Sequence, residues 1–184
     1  EVTMSLNVTN RETLLHQLAA NELDLAIMGK PPEAEHLQAE SFMDNPLVVI
    51  APVEHPLTRK KKLTLEAMRD TPFLMREQCS GTRIAIERFF AAKGVSINTS
   101  MEMSSNEAIK QAVQAGLGLG ILSLHTLEQE LTLKRLAVLK VEGFPIMRHW
   151  YIVHRADKRL SPIAQAFKEF VVAQANSVLV MPQI

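Results

Sequence analysis

The chain has 184 residues, 47% of them hydrophobic, enough for a substantial core in one domain or two small ones. Twenty basic residues balance twenty acidic ones, so there is no basic excess of the kind that binds nucleic acid. A lone cysteine, Cys79, excludes an internal disulfide and suits a reducing compartment, and no run reaches the roughly 18 apolar residues of a membrane helix.

Residues 2–8 set Val2, Met4, Leu6 and Val8 against Thr3, Ser5 and Asn7, the alternation of a half-buried strand. Thr9 with Glu12 reads as a capping box. Leu14, Leu15, Leu18 and Ala19 give the next helix its apolar face, and Asn21 ends it. Residues 23–28 suit a buried strand, and Gly29, Pro31 and Pro32 turn the chain away. Strand, helix and strand in so short a span predict a βαβ unit and a parallel sheet. Residues 37–43 and 47–51 are extended stretches around the turn-prone Asp44, Asn45 and Pro46, and are read as a crossing into a second subdomain. A polar loop over 52–62, a short helix over 63–69 and a strand over 72–75 follow.

Ser80 caps a helix over 82–93, in which Ile84, Ala85, Phe89 and Ala92 recur at helical spacing and Gly94 is the stop. Ile97, Thr99, Met101 and Met103 face one way in the strand after it. The densest signal is SSNEAIKQAVQAGLGLGILS at residues 104–123. Ser104 and Glu107 form a capping box, Ile109, Ala112 and Val113 share a face, Gly116 ends the helix, and residues 117–122 suit a strand covered on both sides. A helix over 126–133, a strand over 136–141, a turn over 143–145 and a strand over 149–154, read as the return crossing, come next. Ser161 and Pro162 begin a final helix with Ile163, Ala166, Phe167, Phe170 and Val171 as its apolar stripe. Such alternation predicts an α/β fold with helices packed on parallel sheets.

Residues 104–123 resemble a segment of the effector-binding domains of LysR-type transcriptional regulators. So, in family order, do residues 9–32 (TNRETLLHQLAANELDLAIMGKPP), 46–57 (PLVVIAPVEHPL), 76–83 (REQCSGTR) and 150–161 (WYIVHRADKRLS). The NRE opening, the IMGKPP turn and SLHTLEQEL are most similar to the branch that regulates Calvin-cycle, or RuBisCO, operons. The resemblance implies two Rossmann-like subdomains joined by two crossover segments, the type II periplasmic-binding-protein-like layout. Residues 1–44 plus 154–184 would form regulatory subdomain I and residues 45–153 regulatory subdomain II. It also implies that the first subdomain here lacks its opening strand and helix, and that the family's winged helix-turn-helix DNA-binding domain lies outside this chain.

Catalysis finds little support. Cys79 and six scattered histidines (His16, His36, His55, His125, His149 and His154) show no nucleophile or metal-ligand spacing, so neither an enzyme nor a metal site is expected. The GLGLG run at 116–120 follows a helix and opens a strand, the reverse of the dinucleotide fingerprint, and close backbone packing explains it better. Arg59, Lys60, Lys61 and Lys62 read as a solvated loop.

Binding does better, because several helix starts in this layout open toward the same edge of the sheets. Ser80, Gly81 and Thr82 offer two hydroxyls and an unhindered backbone at one helix N-terminus, with Arg76 and Arg83 nearby for charge. Ser104, Ser105 and Asn106 offer a second such start, and Thr9 and Asn10 a third from the opposite lobe. Each alone is accounted for as a helix cap; three together predict a cleft that grips a small anion, a carboxylate or phosphate. By resemblance, Met28 and Gly29 also line it.

The expected function is effector sensing: a metabolite between the lobes shifts an equilibrium in a homodimer or tetramer. The resemblance implies an antiparallel dimer, with the helices over 11–20 and 83–93 as candidate faces, although their apolar residues serve equally as core. DNA would be met only through the domain outside this chain, with RNA polymerase a further partner and no membrane involved, in the cytoplasm. No cofactor is expected; the resemblance to the carbon-fixation branch implies a phosphorylated sugar, phosphoenolpyruvate or NADPH as effector. The alternative is a free-standing solute-binding protein of the same bilobal fold that serves a transporter.

Overall fold

A computed structural model describes residues 2–179, 181 and 182. In chain order the elements are α1 (Arg11–Ala19), β1 (Ala26–Met28), β2 (Leu37–Asp44), β3 (Leu47–Pro52), β4 (Phe73–Arg76), α2 (Gly81–Lys93), β5 (Thr99–Met103), α3 (Asn106–Gln114), β6 (Leu119–Ser123), α4 (Glu128–Thr132), β7 (Leu136–Leu139), β8 (His149–Arg155) and α5 (Pro162–Val178). Single 3-10 turns lie at Pro56–Arg59, Glu66–Met68 and Leu124–Thr126. The strands make one sheet in the order β1-β8-β2 and another in the order β5-β4-β6-β3-β7. The chain leaves the first sheet between β2 and β3 and returns between β7 and β8. The two crossings are bonded to each other: the Asn45 N–H donates to the Arg148 carbonyl at 2.7 Å, and Leu47 and Ile146 exchange both backbone bonds at 2.9 and 3.0 Å.

The larger sheet carries its core on both faces. Alternate residues of β3 point opposite ways: Leu47, Val49 and Ala51 meet Ile86 and Phe90 of α2, whereas Val48 and Ile50 meet Ile109 and Val113 of α3. Every one of these side chains is buried, each worth roughly 1.5–3 kcal/mol for a full-sized aliphatic or aromatic group. β4 runs parallel to β5 and β6, and β3 antiparallel to β6 and β7, so the sheet is mixed rather than parallel.

Glycines in the GLGLG run serve this packing. Gly116 takes φ +79° past the end of α3, where Gly116 and Leu117 donate back to Val113 and Ala112 in a Schellman arrangement. A Cβ on Gly118 would stand 2.5 Å from the Pro72 carbonyl oxygen, and one on Gly120 3.0–3.1 Å from Ile109, Ile50 and Val113.

Several expectations are corrected. Residues 2–8 form no strand, and Val2, Met4, Leu6 and Val8 lie exposed. A strand needs a neighbour for its backbone groups, and residues 2–8 pair with neither open edge of the β1-β8-β2 sheet. The opening sheet is antiparallel at both pairings, because β8 returns from the far end of the chain and enters between β1 and β2. Instead of spanning 23–28, β1 covers three residues, with Ile27 exposed. β5 is an edge strand with Met101 exposed. The predicted helix over 63–69 is a 3-10 turn, and the one over 126–133 splits into a 3-10 turn and α4.

Neither capping box forms: each helix has a simple N-cap one residue later, with Thr13 and Ala108 rather than a glutamate at the third helical position. Asn10, not Thr9, accepts from the Thr13 N–H, and Ser105, not Ser104, accepts from Ala108. Ser161 caps α5 as predicted, but most of the α5 stripe faces outward: Ile163, Ala166, Phe167 and Phe170 are exposed and only Val171 packs on the core, while Ala164, Lys168 and Ala175 turn inward, Lys168 pairing with Glu40 at 3.2 Å. Among the described residues no helix is long and apolar enough to cross a membrane.

Candidate functional site

The parallel strands β5, β4 and β6 all end at one edge of the larger sheet. α3 starts just beyond β5 and α2 just beyond β4. β3 starts at that same edge, since Leu47 pairs with Ser123 at the end of β6, and this brings the crossing strands there too. Helix starts with unsatisfied N–H groups, and both links to the smaller sheet, are therefore neighbours by topology.

Arg76, at the end of β4, forks onto Glu77 with Nε–Oε2 at 2.7 Å and Nη2–Oε1 at 2.9 Å, and its Nη1 donates to Asn106 Oδ1 at 2.7 Å. Burial alone would raise the Glu77 carboxyl, but the Arg76 hydrogen bond, a backbone bond and the nearby Arg76 and Arg83 charges hold it below its ordinary value. Arg83 is taken up by Glu87 at 2.7 Å, by Glu102 and by the Arg76 carbonyl. Both arginines expected to supply charge are thus neutralised locally.

Ser80 caps α2 in position but its hydroxyl does not bond to its own helix, although the residue is only 4% exposed. Cys79 before it holds φ +65°, a strained conformation for a non-glycine residue. The Cys79 thiol pKa is raised, chiefly by the neighbouring Glu12 carboxylate in the first turn of α1. The start of α1, from the other lobe, therefore faces the loop that opens α2.

Arg148 was not singled out from the sequence. It sits on the return crossing and reaches Gly81 O at 3.3 Å in the first turn of α2. With the Asn45 amide set by its hydrogen bonds, Asn45 donates to Ser123 Oγ at 2.6 Å and accepts from Arg148 Nη2 at 3.1 Å and Trp150 Nε1 at 3.3 Å. Asn45 is fully buried. Arg148 Nε is sealed and unbonded, and among the described residues no carboxylate pairs with the guanidinium. Burial pushes its pKa down to about 10, so it remains a cation at neutral pH. The one hint in the sequence is a charge inside a segment assigned to the crossing.

The structure brings Arg76, Ser80, Gly81, Ser105 and Asn106 to one edge, with Asn10 set in the α1 cap beyond Glu12. Gly81 and Thr82 form the first residues of α2 and are half-buried. Thr9 lies half-buried one residue ahead of the α1 cap, and Ser104 is exposed. Met28 turns its side chain into the core beside Leu18 and Val153, leaving Gly29 as the accessible backbone at the end of β1. Two hollows lie elsewhere: one of about 550 Å³ beside β7, with Lys62 and Lys140 at its rim, and one of about 390 Å³ after β1 around Pro31, Pro32 and Tyr151. Both are walled mainly by apolar groups, whereas the donors converge at the crossings; donor chemistry is the better guide to an anion. Among the described residues no three metal-binding side chains gather.

Two α/β lobes joined by paired crossings, with helix starts and an uncompensated arginine at the junction, define a bilobal ligand-binding domain. The chain belongs to the LysR substrate binding domain family, whose model matches residues 1–176. It is 53% identical over 174 residues, 95% of its length, to a RuBisCO operon transcriptional regulator of Allochromatium vinosum, and 48% identical over 96% of its length to the transcriptional activator CmpR of Synechocystis. It spans 58% of the length of each of these relatives, which are regulators rather than enzymes. The CcmR regulatory domain of Synechocystis, solved in complex with 2-PG, superposes with TM-score 0.88 at 44% identity, covering 94% of this chain and 83% of that one. The shikimate-bound effector domain of QuiR, at TM-score 0.81 and 20% identity over 94% of this chain and 81% of that one, shares the fold.

Proposed function

We propose that this chain is the effector-sensing part of a LysR-type regulator of carbon-fixation genes. It binds a small anionic metabolite between subdomain I (residues 1–44 plus 154–184) and subdomain II (residues 45–153). The observation that carries this reading is the convergence of the α2 and α3 starts with the two crossings, where Arg148 holds a positive charge that no acid among the described residues balances. Its ligand contacts come from Ser80, Gly81, Thr82, Ser105 and Asn106, with Asn10, Thr9 and Gly29 from the facing lobe. Arg76 holds Asn106 in place, and Ser104 lies at the rim.

The ligand of the CcmR neighbour, 2-PG, heads the candidate effectors, ahead of phosphoenolpyruvate, a phosphorylated sugar and NADPH. Ligand exchange moves the lobes about the paired crossings, and a DNA-binding domain beyond this chain converts that movement into altered contact with DNA and RNA polymerase. The whole regulator works in the cytoplasm as a homodimer or tetramer, with α1 and α2 as its pairing faces.

Thermal unfolding with each candidate tests the reading. An effector at a hundred times its Kd adds about 2.7 kcal/mol to stability, a rise of several degrees for a chain of this size. A chain whose Tm is moved by none of 2-PG, phosphoenolpyruvate and NADPH is not the sensor proposed.

A further inference from the structure

Arg148 joins three parts of the fold at one guanidinium. Its backbone belongs to the return crossing, its Nη2 donates to Asn45 on the outgoing crossing, and its Nη1 donates to the first turn of α2. An arginine kept only as a strut would normally find a carboxylate or a full set of carbonyl oxygens, because burying an unbalanced charge is costly. Here the two bonds are to neutral oxygens, at 3.1 and 3.3 Å, and Nε has no acceptor. Beside it, the 96% buried Ser80 leaves its hydroxyl unused by its own helix, at an end where the helix dipole adds further positive potential.

Resting on the effector reading above, we infer that Arg148 is the anion-selecting residue, its guanidinium taking a phosphate or carboxylate group of the effector between the crossings and the start of α2. A planar fork with an unoccupied Nε edge matches a two-oxygen acceptor, which asparagine and a single carbonyl cannot supply. Nε is sealed, so a ligand oxygen reaches it only when the guanidinium swings out or the lobes part. Either movement alters the bond to Asn45, and so ties occupancy to both crossings. Trp150, the only tryptophan, shares that same Asn45 oxygen and gives an optical report of the event.

The test measures Trp150 fluorescence and calorimetric affinity for 2-PG in the wild-type chain and in Arg148→Met and Arg148→Lys. Without ligand, Arg148→Met should unfold at or near the wild-type Tm, since it removes a half-buried charge with no carboxylate partner among the described residues, yet bind 2-PG about ten- to a hundredfold more weakly. Arg148→Lys should keep the charge, lose the fork and fall between the two. Competition by inorganic phosphate and by acetate tells which oxyanion the guanidinium takes. Wild-type affinity in Arg148→Met overturns the inference and leaves the effector reading standing. So does a lowered Tm with unchanged affinity in Arg148→Lys, the mark of a purely structural role. A wild-type chain that answers neither 2-PG nor inorganic phosphate overturns both.

Discussion

The backbone N–H of Asn45 donates to the carbonyl of Arg148 at 2.7 Å, and the Asn45 side chain then bonds back to the Arg148 guanidinium at 3.1 Å. One fully buried asparagine thus fastens the two crossings through both backbone and side chain, and through Ser123 it also fastens them to the end of β6. Replacing it by leucine, of similar volume, would strand the Ser123 hydroxyl, the Trp150 N–H and one guanidinium donor. Each stranded buried group costs about 1–3 kcal/mol, so Asn45→Leu should destabilise by roughly 3 kcal/mol or more. Urea unfolding followed at Trp150 measures this; a loss below about 0.5 kcal/mol would remove Asn45 from that role.

Lys110 and Glu130 form the most enclosed ion pair among the described residues, at 2.8 Å, with side chains 10% and 8% exposed. Lys110 also donates to the Thr126 carbonyl and pairs with Glu107, and these acids outweigh burial to raise the ammonium pKa. The pair pins α3 to α4. Lys110→Met leaves Glu130 buried without a countercharge and should cost about 3–5 kcal/mol, whereas adding Glu130→Leu should restore most of it. A double-mutant cycle by chemical denaturation reads the difference, and equal losses in the single and double variants would contradict it.

The glycines separate packing from mere flexibility. Gly118→Ala drives a Cβ to within 2.5 Å of the Pro72 carbonyl, and backbone cannot yield as a side chain does. A loss of about 1–3 kcal/mol is expected, the usual cost of overpacking. Gly29→Ala meets nothing within 4 Å and should leave unfolding unchanged. Similar Tm values for the two variants would refute the close-packing account of the GLGLG run.

The elements that could be read from the sequence are those whose cause is local. Gly94 and Gly116 stop their helices with positive φ, Asn21 does the same for α1, and Ser161 with Pro162 starts α5, because each depends on a few adjacent residues. Where two neighbours are equally good caps, as in Thr9 with Asn10 and Ser104 with Ser105, spacing selects the wrong one by a single residue. Strand direction in the first sheet depends on β8, more than 100 residues beyond β2, and no window of sequence contains that fact. The outward stripe of α5 fails for the same reason: periodicity marks an apolar face without saying what will cover it. At the site, Ser80 and Gly81 were legible as a helix start. Arg148 was not, because residues 45, 81 and 150 make its surroundings, and Arg76 looked available because its bond to Asn106 spans 30 positions.

Glu77 makes the acid response specific. Its carboxyl titrates below the ordinary 4.5 because the Arg76 fork and the charges around it outweigh burial. A group depressed in this way contributes stability that is complete above the unfolded value and is lost as the pH falls through the lower folded one. The wild-type chain should therefore exceed Glu77→Gln in stability at neutral pH by a constant margin. That margin should begin to shrink only below about pH 4.5 and vanish once Glu77 is protonated in the folded state. Because the same fork holds Arg76 against Asn106 at the start of α3, Glu77→Gln should also free part of the arginine for ligand, so affinity for an anionic probe should rise or hold while stability falls. Unfolding midpoints of both proteins between pH 3 and 8, with calorimetry of 2-PG at pH 7, measure the two effects, and a stability gap that widens in acid would show that Glu77 is not held by Arg76 in the native state.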